Sequence, residues 1–217
     1  MRGHGRRAQT GASLIELLSV AAVLALMAAL LYSALSGFSS SAGRRGAVNI
    51  LLNAFEYARI AALESGLTVY VGFADGDFPV AEMRYTSFLV FRETSDEERT
   101  SGAANYVVLK KWTMLPKNVA FKRIADSLVP ESGGQTFPGL DDALPADRRD
   151  ETFPSLAFNS SGAVQGGSNP LQLFLYEGYY VALQDVPTRK RSDLFEKISL
   201  SRYTGRAQLD VTTTGVP

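Results

Sequence analysis

The residue types that do most enzyme chemistry are nearly absent from this chain. There is no cysteine, and one histidine, His4, lies in the first few residues. Without Cys there is no disulfide, iron–sulfur cluster, thiolate zinc site or Cys nucleophile. Without a second imidazole there is no histidine zinc site, and His4 could serve a Ser-His-Asp triad only if its segment is retained. No phosphate-binding GxxxxGK[ST] loop occurs, and the short runs "GRRG" and "SGG" are too weak to count as one. Carboxylates remain, but their spacing singles out no acid–base pair. Asp75 and Asp77, in "DGD", carry the hard oxygens a calcium ion takes. A polar turn between strands explains them as well. Asn159-Ser160-Ser161 fits a glycosylation acceptor. "TRKR" at 188–191 is basic without interleaved aromatics and reads as a solvated loop. The most informative reactive group is therefore a carboxylate in an unexpected place. Glu16 stands near the start of "TGASLIELLSVAAVLALMAALL", where a bilayer would make an unpaired charge costly.

The elements around Glu16 give it a context. Residues 1–11 contain Arg2, Arg6, Arg7 and His4 and no acid. From Leu17 to Leu35 no residue is charged, over 19 positions, and a helix of about that length crosses a bilayer core of ~30 Å. Basic residues ahead of a span hold that side in the cytoplasm, so the rest of the chain is expected outside. Ala21, Ala22, Ala25, Ala28 and Ala29 suit close helix packing as well as lipid. Three readings of this N-terminus compete: a permanent single-span anchor, a secretory signal cut near Ala34-Leu35-Ser36, and a signal cut before the apolar segment.

The third reading rests on a resemblance. "TG" followed by "ASLIELLSV" resembles the class III signal of type IV prepilins and pseudopilins: a short basic leader, Gly11 at the cut, an immediate apolar segment, and a glutamate at the fifth mature position. Ala12 departs from the family pattern, which usually has phenylalanine there. The resemblance implies that prepilin peptidase cleaves between Gly11 and Ala12 and that Ala12 is N-methylated. It further implies that the Glu16 carboxylate pairs with the Ala12 amine of a neighbouring subunit in a helix bundle. Such a pair in low dielectric acts mainly as a register device, since either charge alone is costly.

Past the apolar run, Gly37 and the serines at 36 and 39–41 soften the helix. "RRGAVNILLNAFEYARIAALESG" then resumes helical spacing: Val48, Leu51, Leu52, Phe55, Ala58 and Ala62 form one apolar stripe. Gly66 is the expected stop. A helix from Ala12 to Ser65 would span ~80 Å at 1.5 Å per residue. After Gly66 the period becomes two. "LTVYVGF" alternates Leu67, Val69, Val71 and Phe73 against Thr68 and Tyr70, and "RYTSFLVFRE", "NYVVLKKW", "NVAFK", "SLAFN" and "LQLFLYE" read as further strands. In "KISLSRYTGRAQLDV" a two-residue turn at Thr204-Gly205 would set Tyr203 against Arg206, Leu200 against Leu209 and Ile198 against Val211.

The order of these pieces resembles the H-type minor pseudopilins of type II secretion and the FimT-like minor pilins. The quoted matches are "YARIAALESGLTVYVGF", "LAFNSSGAV" and "ISLSRYTGRAQL". The fold class this implies is α+β: a long N-terminal helix packed on a mainly antiparallel β-sandwich-like domain. The organisation expected is a basic leader at 1–11, a transmembrane and polymerisation helix at 12–36, an amphipathic half at 37–65, and a β-rich external domain at 66–217. Residues 123–154, with four prolines and seven acids against three arginines, read as an exposed insertion in that domain.

Lys plus Arg number 22 and Asp plus Glu 22, so no global attraction to nucleic acid arises and none is expected as a partner. The expectation is a non-enzymatic assembly subunit without cofactor or metal, single-pass in the inner membrane, with a cytoplasmic N-terminus and a periplasmic or extracellular domain. Its partners are other pilin or pseudopilin subunits, the peptidase and the membrane. The competing class is a bitopic protein whose external domain binds a ligand or acts as an enzyme.

Overall fold

The computed structural model describes residues 14–76, 78, 80–102, 105–121, 154–165, 170–179, 188–190, 194–210 and 213–214. The first element is a 52-residue helix, α1, Leu14–Ser65. It ends where the sequence places the stop: Gly66 sits at φ 69°, and its N–H donates to the Ala62 carbonyl at 3.0 Å. Only glycine takes that left-handed turn without a Cβ penalty. The chain divides into two compact units, Met1–Ser41 and Ala42–Pro217.

In the first unit the described side chains of α1 are exposed and, apart from Glu16 and Ser19, apolar, from Leu14, 77 % accessible, to Leu30, 66 %. No helix among the described residues is long and apolar enough to cross a membrane. The transmembrane expectation is thus not met within them, the described side chains of this stretch stopping at Leu30.

The second unit holds two antiparallel sheets. The first orders β3 (Tyr106–Met114), β2 (Ser87–Glu93), β1 (Val69–Phe73) and β5 (Ser155–Phe158). The second orders β10 (Thr213–Thr214), β8 (Leu194–Leu200), β6 (Leu171–Tyr179) and β4 (Val119–Phe121). Two short strands flank this second sheet, β7 (Thr188–Arg189) on β6 and β9 (Ala207–Leu209) on β8. A five-residue helix, α2 (Asp96–Thr100), follows β2. It opens on a capping box in which the Ser95 hydroxyl and Glu98 carboxylate satisfy each other's backbone N–H groups.

One apolar cluster joins helix and both sheets. Val48, Leu51, Phe55, Ala58 and Ala62 of the expected stripe are buried in it, together with Ala47 and Ala54, and Leu52 packs at its margin. Phe55 meets Phe73 of β1 at 6.4 Å between ring centroids, and Phe73 meets Phe121 of β4 edge-on at 5.2 Å. The backbone of Tyr85 stitches the sheets: its N–H donates to the Ala74 carbonyl and its carbonyl accepts from Phe121. Tyr85 does this at φ 57°, a conformation costly for a bulky residue and held by its surroundings.

One strand expectation is borne out and one corrected. The alternation along β1 holds, and both of its faces are buried. Val69, Val71 and Phe73 meet the helix, while Tyr70, Leu89 and Phe91 form a second cluster with Phe78. The C-terminal hairpin exists, but its register is shifted by two: Leu200 opposes Ala207 and Ile198 opposes Leu209. A two-residue turn of the expected kind needs left-handed backbone at both central positions. Of Thr204 and Gly205 only the glycine adopts it, at φ 63°, so the loop lengthens and closes on the bond from Ser201 N–H to the Arg206 carbonyl, 2.9 Å.

Candidate functional site

Glu16, the residue around which the sequence-based function is built, lies in the first turn of α1. A carboxylate there is favoured by the partial positive charge of a helix N-terminus. The Ser19 hydroxyl donates to the Glu16 carbonyl at 2.8 Å, which leaves the Glu16 carboxylate unused by that contact. Glu16 is exposed and has no ion pair among the described residues. Gly11 and Ala12, the expected cleavage and methylation positions, lie outside the described residues. So do 123–153, most of the expected insertion, and Asp77 of the "DGD" turn. No group of three or more metal-ligating side chains occurs among the described residues.

Helix and sheet meet through a polar site that the sequence reading missed. Arg44, in α1, is buried between Glu177 of β6 and Glu196 of β8. Its Nη1 donates to Glu177 Oε2 at 3.1 Å, and its Nε lies 3.7 Å from Glu196 Oε1. The three side chains are 8, 9 and 7 % accessible. The Nε has no hydrogen-bond partner. Two buried carboxylates thus face one guanidinium. Buried ion pairs of this kind add little net stability, but they penalise heavily any arrangement that separates them. The signal was available in phase rather than in type. Arg44 falls four residues before Val48, on the buried stripe. Glu177 follows Leu173 and Leu175, and Glu196 precedes Ile198 and Leu200, at the inward positions of their strands.

A second site gathers the motifs that carry the family resemblance. In "LAFNSSGAV" the Asn159 Oδ1 accepts from the N–H groups of Ser161 and Ala163, both at 3.0 Å, and from the Ser161 hydroxyl at 2.7 Å. The asparagine is a turn cap, which accounts for it without glycosylation. The turn ends on Gly162, at φ 74°. In "SRYTGRAQL" Gly205 lies against the Gly162 carbonyl and the aliphatic stem of Arg59 in α1, while Gly162 abuts Arg59 and Leu63. Arg59 is held in turn by Glu56, with Nη2 2.7 Å from Oε1; their hydrogen bond keeps the Glu56 carboxyl below its usual range. The three motifs are thus one contact. The Asn-capped turn and the hairpin loop meet by backbone, Val164 N–H donating to the Arg202 carbonyl at 2.9 Å, and the helix end packs on them through the Arg59 and Leu63 side chains.

"TRKR" is corrected in part. Thr188 and Arg189 form β7 against β6, with Arg189 opposite Gly178. Arg189 and Lys190 are exposed as expected, with the Arg189 guanidinium 5.1 Å from the centroid of Tyr176. Tyr70 is also engaged: its hydroxyl donates to Glu93 Oε1 at 2.6 Å. Burial first, then that carboxylate, push its pKa well above the ordinary phenol range.

The chain matches no protein-family model and no curated protein. Among solved structures it is similar to the minor pseudopilin EpsH from the type 2 secretion system of Vibrio cholerae. The TM-score is 0.42 and the identity 13 %, with 77 % of this chain and 95 % of that one covered.

Proposed function

We propose that this chain is a minor pilin or pseudopilin, a structural subunit built into a type IV pilus or type II secretion pseudopilus. It is not an enzyme in this reading. Prepilin peptidase removes residues 1–11, Ala12 becomes the methylated N-terminus, and the protein sits once in the inner membrane with its β-rich domain outside. The supporting observation is the pairing of two features in one element. The first part of α1 exposes Leu14, Ile15, Leu17, Leu18, Leu24 and Met27, each more than half accessible, and a lone carboxylate, Glu16, opens it. An apolar helix surface of that extent needs lipid or other helices to cover it. A carboxylate at its start is tolerated where a partner amine neutralises it. The Ala12 amine of an adjacent subunit is that partner.

The test is crosslinking in membranes. Glu16→Leu is expected to insert and to be cleaved as the parent is, because a more apolar segment inserts at least as well. Its crosslinks to partner subunits should fall sharply. Parental crosslinking in a normally cleaved Glu16→Leu protein would remove the carboxylate from assembly.

A further inference from the structure

In the second unit Arg45, Asn49, Asn53 and Glu56 make the outer side of α1 polar and exposed. Its end departs from that pattern, where Tyr57, Ile60 and Leu63 are exposed apolar side chains. At about 100° per residue, with Ile60 at the middle of this face, Leu63 is turned about 60° to one side and Glu64 about 40° to the other. The Leu63 side carries the Asn-capped turn and the C-terminal hairpin, since Gly162 abuts Arg59 and Leu63 and Gly205 abuts Arg59. The hairpin adds Tyr203, whose side chain is 76 % accessible. Its loop is nevertheless fixed: Gly205 N–H donates to the Ser201 carbonyl at 2.8 Å, and Val164 N–H ties the Arg202 carbonyl to the neighbouring turn. A rigid backbone thus displays a large aromatic side chain in solvent, beside an apolar strip on the helix. Such preorganisation lowers the entropy lost on association.

Flanks of opposite charge enclose the strip and select what can cover it. Glu56 is committed to Arg59, so the acid of this face is Glu64, exposed on the side away from the hairpin. Arg206 is the exposed base on the hairpin side. A partner of a single charge sign would meet its own sign on one flank. A second copy, related by a two-fold axis running along this part of α1, meets neither conflict. The apolar strips and Tyr203 side chains then cover one another, and the Glu64 flank of each copy falls over the Arg206 flank of the other. That self-complementarity is what an isologous contact requires. Tyrosine and arginine are also the residues enriched in protein interfaces.

We propose that the outer face of α1 from Tyr57 to Glu64 and the hairpin loop at 202–206 form the interface of a two-fold dimer of this chain. The apolar strip supplies the attraction. The exposed charges set the orientation, since surface ion pairs add little strength. Few residues take part, so the dimer is weak and exchanges. The surface involves neither Glu16 nor Ala12 and stands or falls separately from the assembly reading.

The absence of cysteine allows single-site reporters. Full chains carrying Asn53→Cys and full chains carrying Thr204→Cys, both exposed positions, are mixed in detergent micelles and treated with a short bismaleimide. The expected product links the two variants and rises with protein concentration. It should exceed the product of an Asn53→Cys and Lys111→Cys mixture, the reference on β3, by about tenfold. Tyr203→Ser in both chains should lower it about tenfold, as loss of a central aromatic does. Arg206→Glu in both should lower it about three- to tenfold, and adding Glu64→Arg should restore it. Tyr203, Arg206 and Glu64 are exposed, so these substitutions leave the core intact. Three results would overturn the proposal: linkage no greater than the Lys111→Cys reference, linkage indifferent to Tyr203→Ser, and no restoration by Glu64→Arg. Linkage of Thr204→Cys to another protein in membranes, with none between copies, would also overturn it by assigning the face to that protein.

Discussion

The α-carbon of Gly205 lies so close to the carbonyl of Gly162 that a side chain there would overlap the carbonyl oxygen. Both residues have left-handed backbone, at φ 63° and 74°, and both rest on Arg59 of the helix. Gly205→Ala therefore combines a backbone penalty of about 1 kcal/mol with a clash of its Cβ on the Gly162 carbonyl, which cannot rotate away. We expect a loss of about 2 kcal/mol or more in urea unfolding of residues 44–217. Gly66→Ala is the control, since Gly66 has φ 69° with nothing near its missing Cβ, and it should cost only the backbone part. Equal losses for the two would mean that the close approach contributes nothing.

That fragment carries a prediction of its own. Residues 44–217 omit the exposed apolar part of α1 and keep the stripe from Ala47 to Ala62 inside the shared core. They should be soluble, and far-ultraviolet circular dichroism should report more strand than helix. A mainly helical spectrum would contradict the two-sheet domain.

Much of this domain was legible because burial imposes a period. The helix end at Ser65, the stripe, and the six strands from β1 to β6 all follow from 3.6- and 2-residue repeats. What escaped the sequence depends on third dimensions that a repeat does not encode. Tyr70 alternates with the core residues, yet the opposite face of its sheet is buried as well, against Phe91 at 5.0 Å. The hairpin register turned on whether Thr204 would adopt left-handed backbone, a choice between loops and not between patterns. Arg44 stands in phase with the stripe, but a charge there is interpretable only once Glu177 and Glu196 are known to face it. Glu16 stands differently: its proposed partner lies on another molecule.

Arg44→Met removes the guanidinium that faces both buried carboxylates. Removing one side of such a group costs about 3–5 kcal/mol, and the urea midpoint of the fragment should fall accordingly. Adding Glu177→Gln and Glu196→Gln to Arg44→Met should restore most of the loss. If Arg44→Met alone is nearly neutral, the trio does not hold the helix to the sheet.

Acid should weaken the capping box. The Glu98 carboxyl is held down to about 2 by its hydrogen bond to Arg92, with the Ser95 N–H adding to it. Because the folded value lies below the unfolded one of 4.5, its stabilisation is complete above that value and is lost as pH falls towards 2. Asp210 follows the same sign, lowered by the Ser199 hydroxyl and then by Lys197. Glu98→Gln should therefore weaken the fragment slightly at pH 6 and not at pH 2, and added salt should shrink the difference at pH 6. A difference that persists unchanged at pH 2 would exclude the ionised carboxylate as its source.

Processing at Gly11 carries the central claim, because the role assigned to Glu16 exists only if Ala12 becomes a free N-terminus. A peptidase must bring the backbone close at that glycine, and a side chain there obstructs it, so Gly11→Val should accumulate as uncut precursor. The most direct measurement is intact and peptide mass spectrometry of the protein recovered from membranes of cells that contain a prepilin peptidase. The account predicts a chain beginning at N-methylated Ala12 in the parent and at Met1 or Arg2 in Gly11→Val. A parent chain that still begins at Met1 or Arg2 would contradict it.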